Sequence, residues 1–75
     1  MELNEFIADF ADEFDDTDAS EIQAKTEFQK LEEWSSLVAM GVIALAHVKY
    51  KKSLSGSEIR SCNTVEELFH LLQNK

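Results

Sequence analysis

Between Glu2 and Phe14 the apolar residues Leu3, Phe6, Ile7, Phe10 and Phe14 recur with helical spacing, and acids fill much of the other side. That pattern predicts an amphipathic helix with one buried face. The segment Asp15-Asp16-Thr17-Asp18-Ala19-Ser20 ends it with residues that favour caps and turns. From there to Trp34 the apolar residues Ile22, Phe28, Leu31 and Trp34 stand isolated. This predicts a long ordered loop with room for a short turn of helix. Connections of that length in small domains are often functional.

A second helix is expected from Ser35 or Ser36 to Tyr50 or Lys51. It contains the longest apolar run, Leu37 to Ala46 with Gly41 inside it. Ten residues are too few to cross a bilayer, so the run reads as a buried helix and membrane insertion is not expected. Lys49, Lys51 and Lys52 suit the negative end of its dipole. Ser53-Leu54-Ser55-Gly56 reads as a turn. Ser55 with Glu58 forms a capping box for a short third helix through Ile59 and Arg60, and Thr64 with Glu67 forms a second for a last helix. Leu68, Phe69, Leu71 and Leu72 give that last helix its apolar face. The expected fold is all-α: a small four-helix bundle, three main helices and one short, with a long loop between helices 1 and 2.

Composition agrees with this reading. The 75 residues suffice for one domain, include no Pro, and hold only two glycines, Gly41 and Gly56. The lone Cys62 has no partner for an internal disulfide, which suits a reducing compartment. Met1 is followed by Glu2, Glu5 and Asp9 where a secretory signal needs positive charge, so a soluble, cytoplasmic, monomeric protein is expected.

Charge narrows the partners. Residues 1–33 hold twelve acids against Lys25 and Lys30, a balance of −10, whereas residues 34–60 hold Lys49, Lys51, Lys52 and Arg60 against Glu58, a balance of +3. The acidic first half repels phosphate backbones, so nucleic acid is a poor partner and basic protein surfaces are better ones.

Candidate chemistry is sparse. Nucleophilic catalysis needs a nucleophile, a base and an orienting group. His47 and His70 belong to different helices with no evident third partner, and Cys62 reads as small buried filler. No catalytic residue is assigned, and an enzyme is not expected. Asp16, Asp18, Ser20 and Glu27 match four places of a calcium loop, but Glu21 occupies the place that requires Gly. No metal site is assigned either. The informative spot is Ser35-Ser36. Serine is a preferred helix N-cap, which explains its presence structurally. A serine at the start of a helix also meets the positive end of the dipole, where a phosphate is well accommodated.

Around this spot the sequence resembles the acyl carrier protein family. Ser35-Ser36-Leu37 matches the Asp-Ser-Leu motif whose serine receives 4′-phosphopantetheine. Thr26-Glu27-Phe28-Gln29-Lys30-Leu31 is similar to the Thr-x-Phe-x-x-Leu segment that precedes that motif. Leu54-Ser55-Gly56-Ser57-Glu58-Ile59 resembles the turn into the family's short third helix. Thr64-Val65-Glu66-Glu67-Leu68 resembles its entry to the fourth. The likeness covers nearly the whole chain in the right order. It implies a 4′-phosphopantetheine arm on Ser36, added by a phosphopantetheinyl transferase, with Leu37 and Met40 flanking the arm. Acyl-loading and acyl-transferring enzymes would be the further partners, in fatty-acid synthesis or a specialised pathway. Phe6, Phe10, Phe28, Val42, Ile43, Ala46, Tyr50, Phe69 and Leu72 would build the core.

Two features depart from the family pattern. Ser35 stands where Asp is usual, and residues 36–52 contain no acid, with His47, Lys49, Lys51 and Lys52 in their place. Basic partners of the usual kind should therefore bind this helix weakly. Val38, Gly41, Leu45 and Val48 share one side of it and are expected either to form an exposed apolar stripe for partners, with the lysines favouring an acidic rim, or in part to tuck beneath the long loop. A helical interaction domain without a prosthetic group is the other function class this pattern allows.

Overall fold

The computed structural model describes residues 2–75. Among them are four α-helices: α1 (Leu3–Ala11), α2 (Ser36–Tyr50), α3 (Gly56–Ser61) and α4 (Val65–Gln73). Two single 3-10 turns, Ala19–Glu21 and Phe28–Lys30, punctuate the connection between α1 and α2. The architecture is the small all-α bundle expected from the pattern, with the short helix third.

α1 is shorter than its apolar period. Asp12, at its C-cap, donates to Ala8 O, and the chain then tightens as Glu13 N–H reaches Phe10 O and Phe14 N–H reaches Ala11 O. These three-residue steps carry the Phe14 ring inward after the helix has ended. Phe6, Phe10, Phe14 and Phe28 are buried, with Phe6–Phe69, Phe10–Phe28 and Phe10–Phe14 ring centroids 5.8, 5.5 and 5.5 Å apart. Tilted and edge-on contacts of this kind stabilise by more than the area they bury. α2 contributes Val38, Val42 and Ala46; α3 contributes Ile59; α4 contributes Val65, Leu68, Phe69 and Leu72. Cys62 is buried filler as expected, and burial pushes its thiol pKa up. Ile43 and Tyr50, expected in the core, are half-buried at its edge instead.

The connection between α1 and α2 is a scaffold for the later helices. Both predicted capping boxes form, with Ser55 and Thr64 accepting from the N–H of Glu58 and Glu67 at 3.2 Å. The loop then completes the start of α4: Val65 N–H donates to Thr26 O (3.2 Å) and Glu66 N–H to Ala24 O (2.9 Å). Thr64 N–H donates to Glu67 Oε1 (3.3 Å), so each of the four N–H groups from Thr64 to Glu67 has an acceptor. Helix starts leave those donors without intrahelical partners, and a buried orphan would be costly. At the other end of α3, the Gln29 amide donates to the carbonyls of Ile59, Arg60 and Cys62 at 3.3, 3.3 and 2.7 Å. Glu33 ties the front of the loop, accepting from Asp15 N–H (2.6 Å), Asp16 N–H (3.0 Å) and Thr17 Oγ1 (2.7 Å). The Thr17 bond, helped by those backbone donors, lowers its carboxyl pKa. Asp18 caps its own 3-10 turn through Ser20 N–H, while Glu27 engages Lys30 and Asn63. Three of the loop's acids, Asp18, Glu27 and Glu33, thus work as caps and ties.

Candidate functional site

Ser35 and Ser36 take different roles. Ser35 is the N-cap of α2: its backbone is extended (φ −156°, ψ 173°), its carbonyl accepts from Ala39 N–H at 2.9 Å, and its Oγ accepts from Val38 N–H at 3.4 Å. Ser36 is the first helical residue and is exposed. Its hydroxyl takes no part in the hydrogen bonds among the described residues. Capping is therefore the work of Ser35, and Ser36 presents a hydroxyl at the end of a rigid helix.

A groove of about 260 Å3 runs beside this hydroxyl, between the start of α2, the end of the long loop and α3. Trp34, Ala39 and Ile59 give it apolar walls, and Ser35, Ser36, Gln29 and Arg60 give it polar ones. The local fold explains its shape. Trp34 packs edge-on against Phe28 with centroids 4.9 Å apart and stacks at 13° on Phe10, which anchors one wall in the aromatic core. Gln29 holds the loop to the last carbonyls of α3 and so sets the opposite wall. Gly56 leaves room for the Arg60 side chain, whose Nη1 would sit 3.3 Å from a Cβ built there.

Leu37 and Met40, expected near Ser36, are 78% and 64% exposed on the outer side of α2. The partner stripe differs from expectation. Val38 is 9% exposed and belongs to the core; Gly41 is covered by the Glu13 side chain; Leu45 is half-buried. Of that set only Val48 is exposed, at 67%. The outer apolar stripe is instead Leu37, Met40, Ala44 and Val48, with steps of three, four and four. The expected stripe was one position out for its first three members, about 100° of rotation around the helix. A helix apolar all round offers no polar face from which to infer its rotation.

Lys49 also has a different job from the one expected. It reaches Asp9 (2.6 Å) and Glu5 (3.4 Å) on α1, and Asp9 accepts from Tyr50 Oη at 2.5 Å. Bonding to Lys49 first, and to Tyr50 second, holds the Asp9 carboxyl below its ordinary range; burial and the Asp9 carboxylate push the Tyr50 phenol up. Lys49 is thus a tie between α1 and α2. Lys51 donates to Val48 O and Lys52 to Lys75 O.

Gln29, Trp34, Ala39, Gly56, Ile59 and Arg60 are the residues of this site that the sequence pattern did not assign to it. One signal was available for Arg60. The Ser55 capping box fixes the register of α3, which sets Gly56 and Arg60 four apart on one face. His47 and His70 are exposed on different helices and are not brought to the groove. No helix among the described residues is long and apolar enough to cross a membrane. Compared with protein-family models, curated proteins and solved structures, the chain matches none.

Proposed function

We propose that this chain is a carrier domain of the acyl carrier type, holding acyl or aminoacyl groups as thioesters on a 4′-phosphopantetheine arm attached to Ser36. The observation that carries this reading is the division of labour between the serines, with Ser35 capping α2 and Ser36 keeping an exposed hydroxyl. The residues present fit the group. A phosphodiester on Ser36 lies at the positive end of the α2 dipole. A groove with apolar walls adjoins it, and Leu37 and Met40 leave the serine open to an enzyme.

In the attachment step Ser36 Oγ bonds to the phosphorus that bears the pantetheine arm in coenzyme A. The phosphoanhydride bond breaks, adenosine 3′,5′-bisphosphate leaves, and the serine proton passes to a base of the phosphopantetheinyl transferase. Once bound, the arm supplies the thiol that forms the thioester. The chain's own contribution is a fixed attachment point, and a flexible tether on it raises the local concentration of cargo at successive enzymes. Acyl-loading and acyl-transferring enzymes are the partners in this reading, in a cytoplasmic specialised pathway or in fatty-acid synthesis. With no acid on α2, its outer stripe of Leu37, Met40, Ala44 and Val48 favours partners with an apolar contact surface. That same stripe also favours a second reading, a helical interaction domain without a prosthetic group.

Intact-mass measurement separates the two. Incubation with coenzyme A, magnesium and a broad-specificity transferase should add the mass of one phosphopantetheine. Ser36→Ala should abolish the gain. Ser35→Ala should retain it, at a stability cost of about 1 kcal/mol for the lost cap. Addition at Ser35 would overturn the assignment of the site, and no addition to the wild type would favour the interaction domain.

A further inference from the structure

The described cations are nearly all engaged. Lys25 pairs with Glu66, Lys30 with Glu27, Lys49 with Asp9 and Glu5, and Lys75 with Glu58, while Lys51 and Lys52 donate to backbone carbonyls. Arg60 is the exception: among the described residues its guanidinium makes no ion pair and no hydrogen bond. The one acid on α3, Glu58, is taken by Lys75 (2.7 Å) and by Ser55 N–H (2.9 Å). Arg60 lies instead over Gly56 and lines the groove that Ser36 opens into.

We infer that Arg60 is an anion-holding residue, which engages the phosphodiester of a Ser36-linked arm and lays the arm along the groove wall formed by Trp34, Ala39 and Ile59. This rests on the carrier reading above. A guanidinium presents a planar fork of donors matched to two phosphate oxygens, and it stays charged at any working pH. The groove suits the rest of the arm, because its apolar walls cover methylene and methyl groups while Gln29 and Ser35 stand at its polar edge. Gly56 contributes by absence, since a Cβ there would crowd Arg60 Nη1 at 3.3 Å. Arg60 acts here as a positioning residue: it shifts the arm between a docked state and a free one without touching the thioester.

Trp34, the single tryptophan, reports on that equilibrium from within the groove. The experiment compares acrylamide quenching of Trp34 in the apo form and in the transferase-modified form, for wild type, Arg60→Gln and Arg60→Lys. Each modified sample is verified by mass. In the wild type the arm should protect Trp34, and added NaCl should reduce the protection. Arg60→Gln should gain the same mass yet lose protection, with the docked population falling about twofold to fivefold, as expected for losing an exposed ion pair. Arg60→Lys should keep part of the protection. Circular dichroism and melting of the apo variants should match wild type, because the residue is exposed. Equal protection in modified wild type and Arg60→Gln would overturn the role of Arg60 and leave the carrier reading standing. Mass gain with no protection in the wild type would do the same. Failure of the wild type to gain mass would overturn both.

Discussion

Met40 and Val42 stand two residues apart on α2, yet Met40 is 64% exposed and Val42 is 0% exposed. The contrast runs the length of the helix. Val38, Val42 and Ala46 face the aromatic cluster built by α1, α4 and Phe28, whereas Leu37, Met40, Ala44 and Val48 face outward. The two faces differ little in chemistry and greatly in what covers them. Apolar composition alone thus says only that this helix is hydrophobic. The inner face is buried and stabilises the fold, whereas the outer face is exposed and adds little to it.

The strongest break of that comparison is a charge placed on each face in turn. Val42→Asp sets a carboxylate among Phe and Leu side chains with no partner, a change that costs several kcal/mol in a domain of marginal stability. Loss of the helical circular dichroism signal at 25 °C is the expected result. Met40→Asp should leave melting within a few degrees of wild type, because exposed substitutions typically change stability by about 0.5 kcal/mol or less. Comparable melting of the two variants would mean that the faces are not distinct.

A smaller effect lies at the far end of α2, where Asp9 ties α1 to Lys49 and Tyr50. The Asp9 carboxyl is depressed in the folded state, so its stabilising contribution is complete above the ordinary aspartate value of 3.8 and is lost as pH falls through the folded value. Asp9→Asn should therefore melt at a lower temperature than wild type at pH 7. The gap should close as the pH is taken below 3.8. A gap of the same size at both ends of a melting series from pH 7 to pH 2.5 would exclude this role for the carboxylate (the pH limits are about the span over which such a group titrates).

The smallest effect concerns Gly41, which lies between the two faces. A Cβ there would overlap the Glu13 carboxylate, but that group is the free end of a flexible side chain and can swing into water. Burial holds the Glu13 pKa up, so release also relieves its desolvation. Alanine is the better helix former by about 1 kcal/mol, and Gly41→Ala should raise stability by up to that amount in a chemical denaturation curve. A destabilised variant would show that the packing of Glu13 against α2 contributes to the fold.

Much of the bundle was legible because its signals are local. The Ser55–Glu58 and Thr64–Glu67 boxes start α3 and α4 where the pattern placed them, and Ser35 caps α2 beside the candidate serine. The breaking residues after Phe14 and the isolated anchors Ile22 and Phe28 announced the long ordered connection, and both anchors are buried. The exposed serine beside that cap was legible for the same reason, since a helix start is written in a few adjacent residues. The groove was not. It needs Trp34, Ala39 and Arg60, which come from three separate segments and carry no shared pattern in the chain.

By itself, then, the sequence determined the helices, their ends, the aromatic character of the core and the serine pair at the start of α2. Those features depend on spacings of one to four residues, within which backbone geometry and capping chemistry act directly. Only the tertiary structure decided which side of α2 is covered, that Lys49 serves Asp9, that Gln29 closes α3 and that Arg60 meets Ser36 across one groove. Each of those depends on how far one element is rotated against another. For a helix apolar on every side, packing against the Phe rings of α1, the long loop and α4 sets that rotation, because no polar face of its own does.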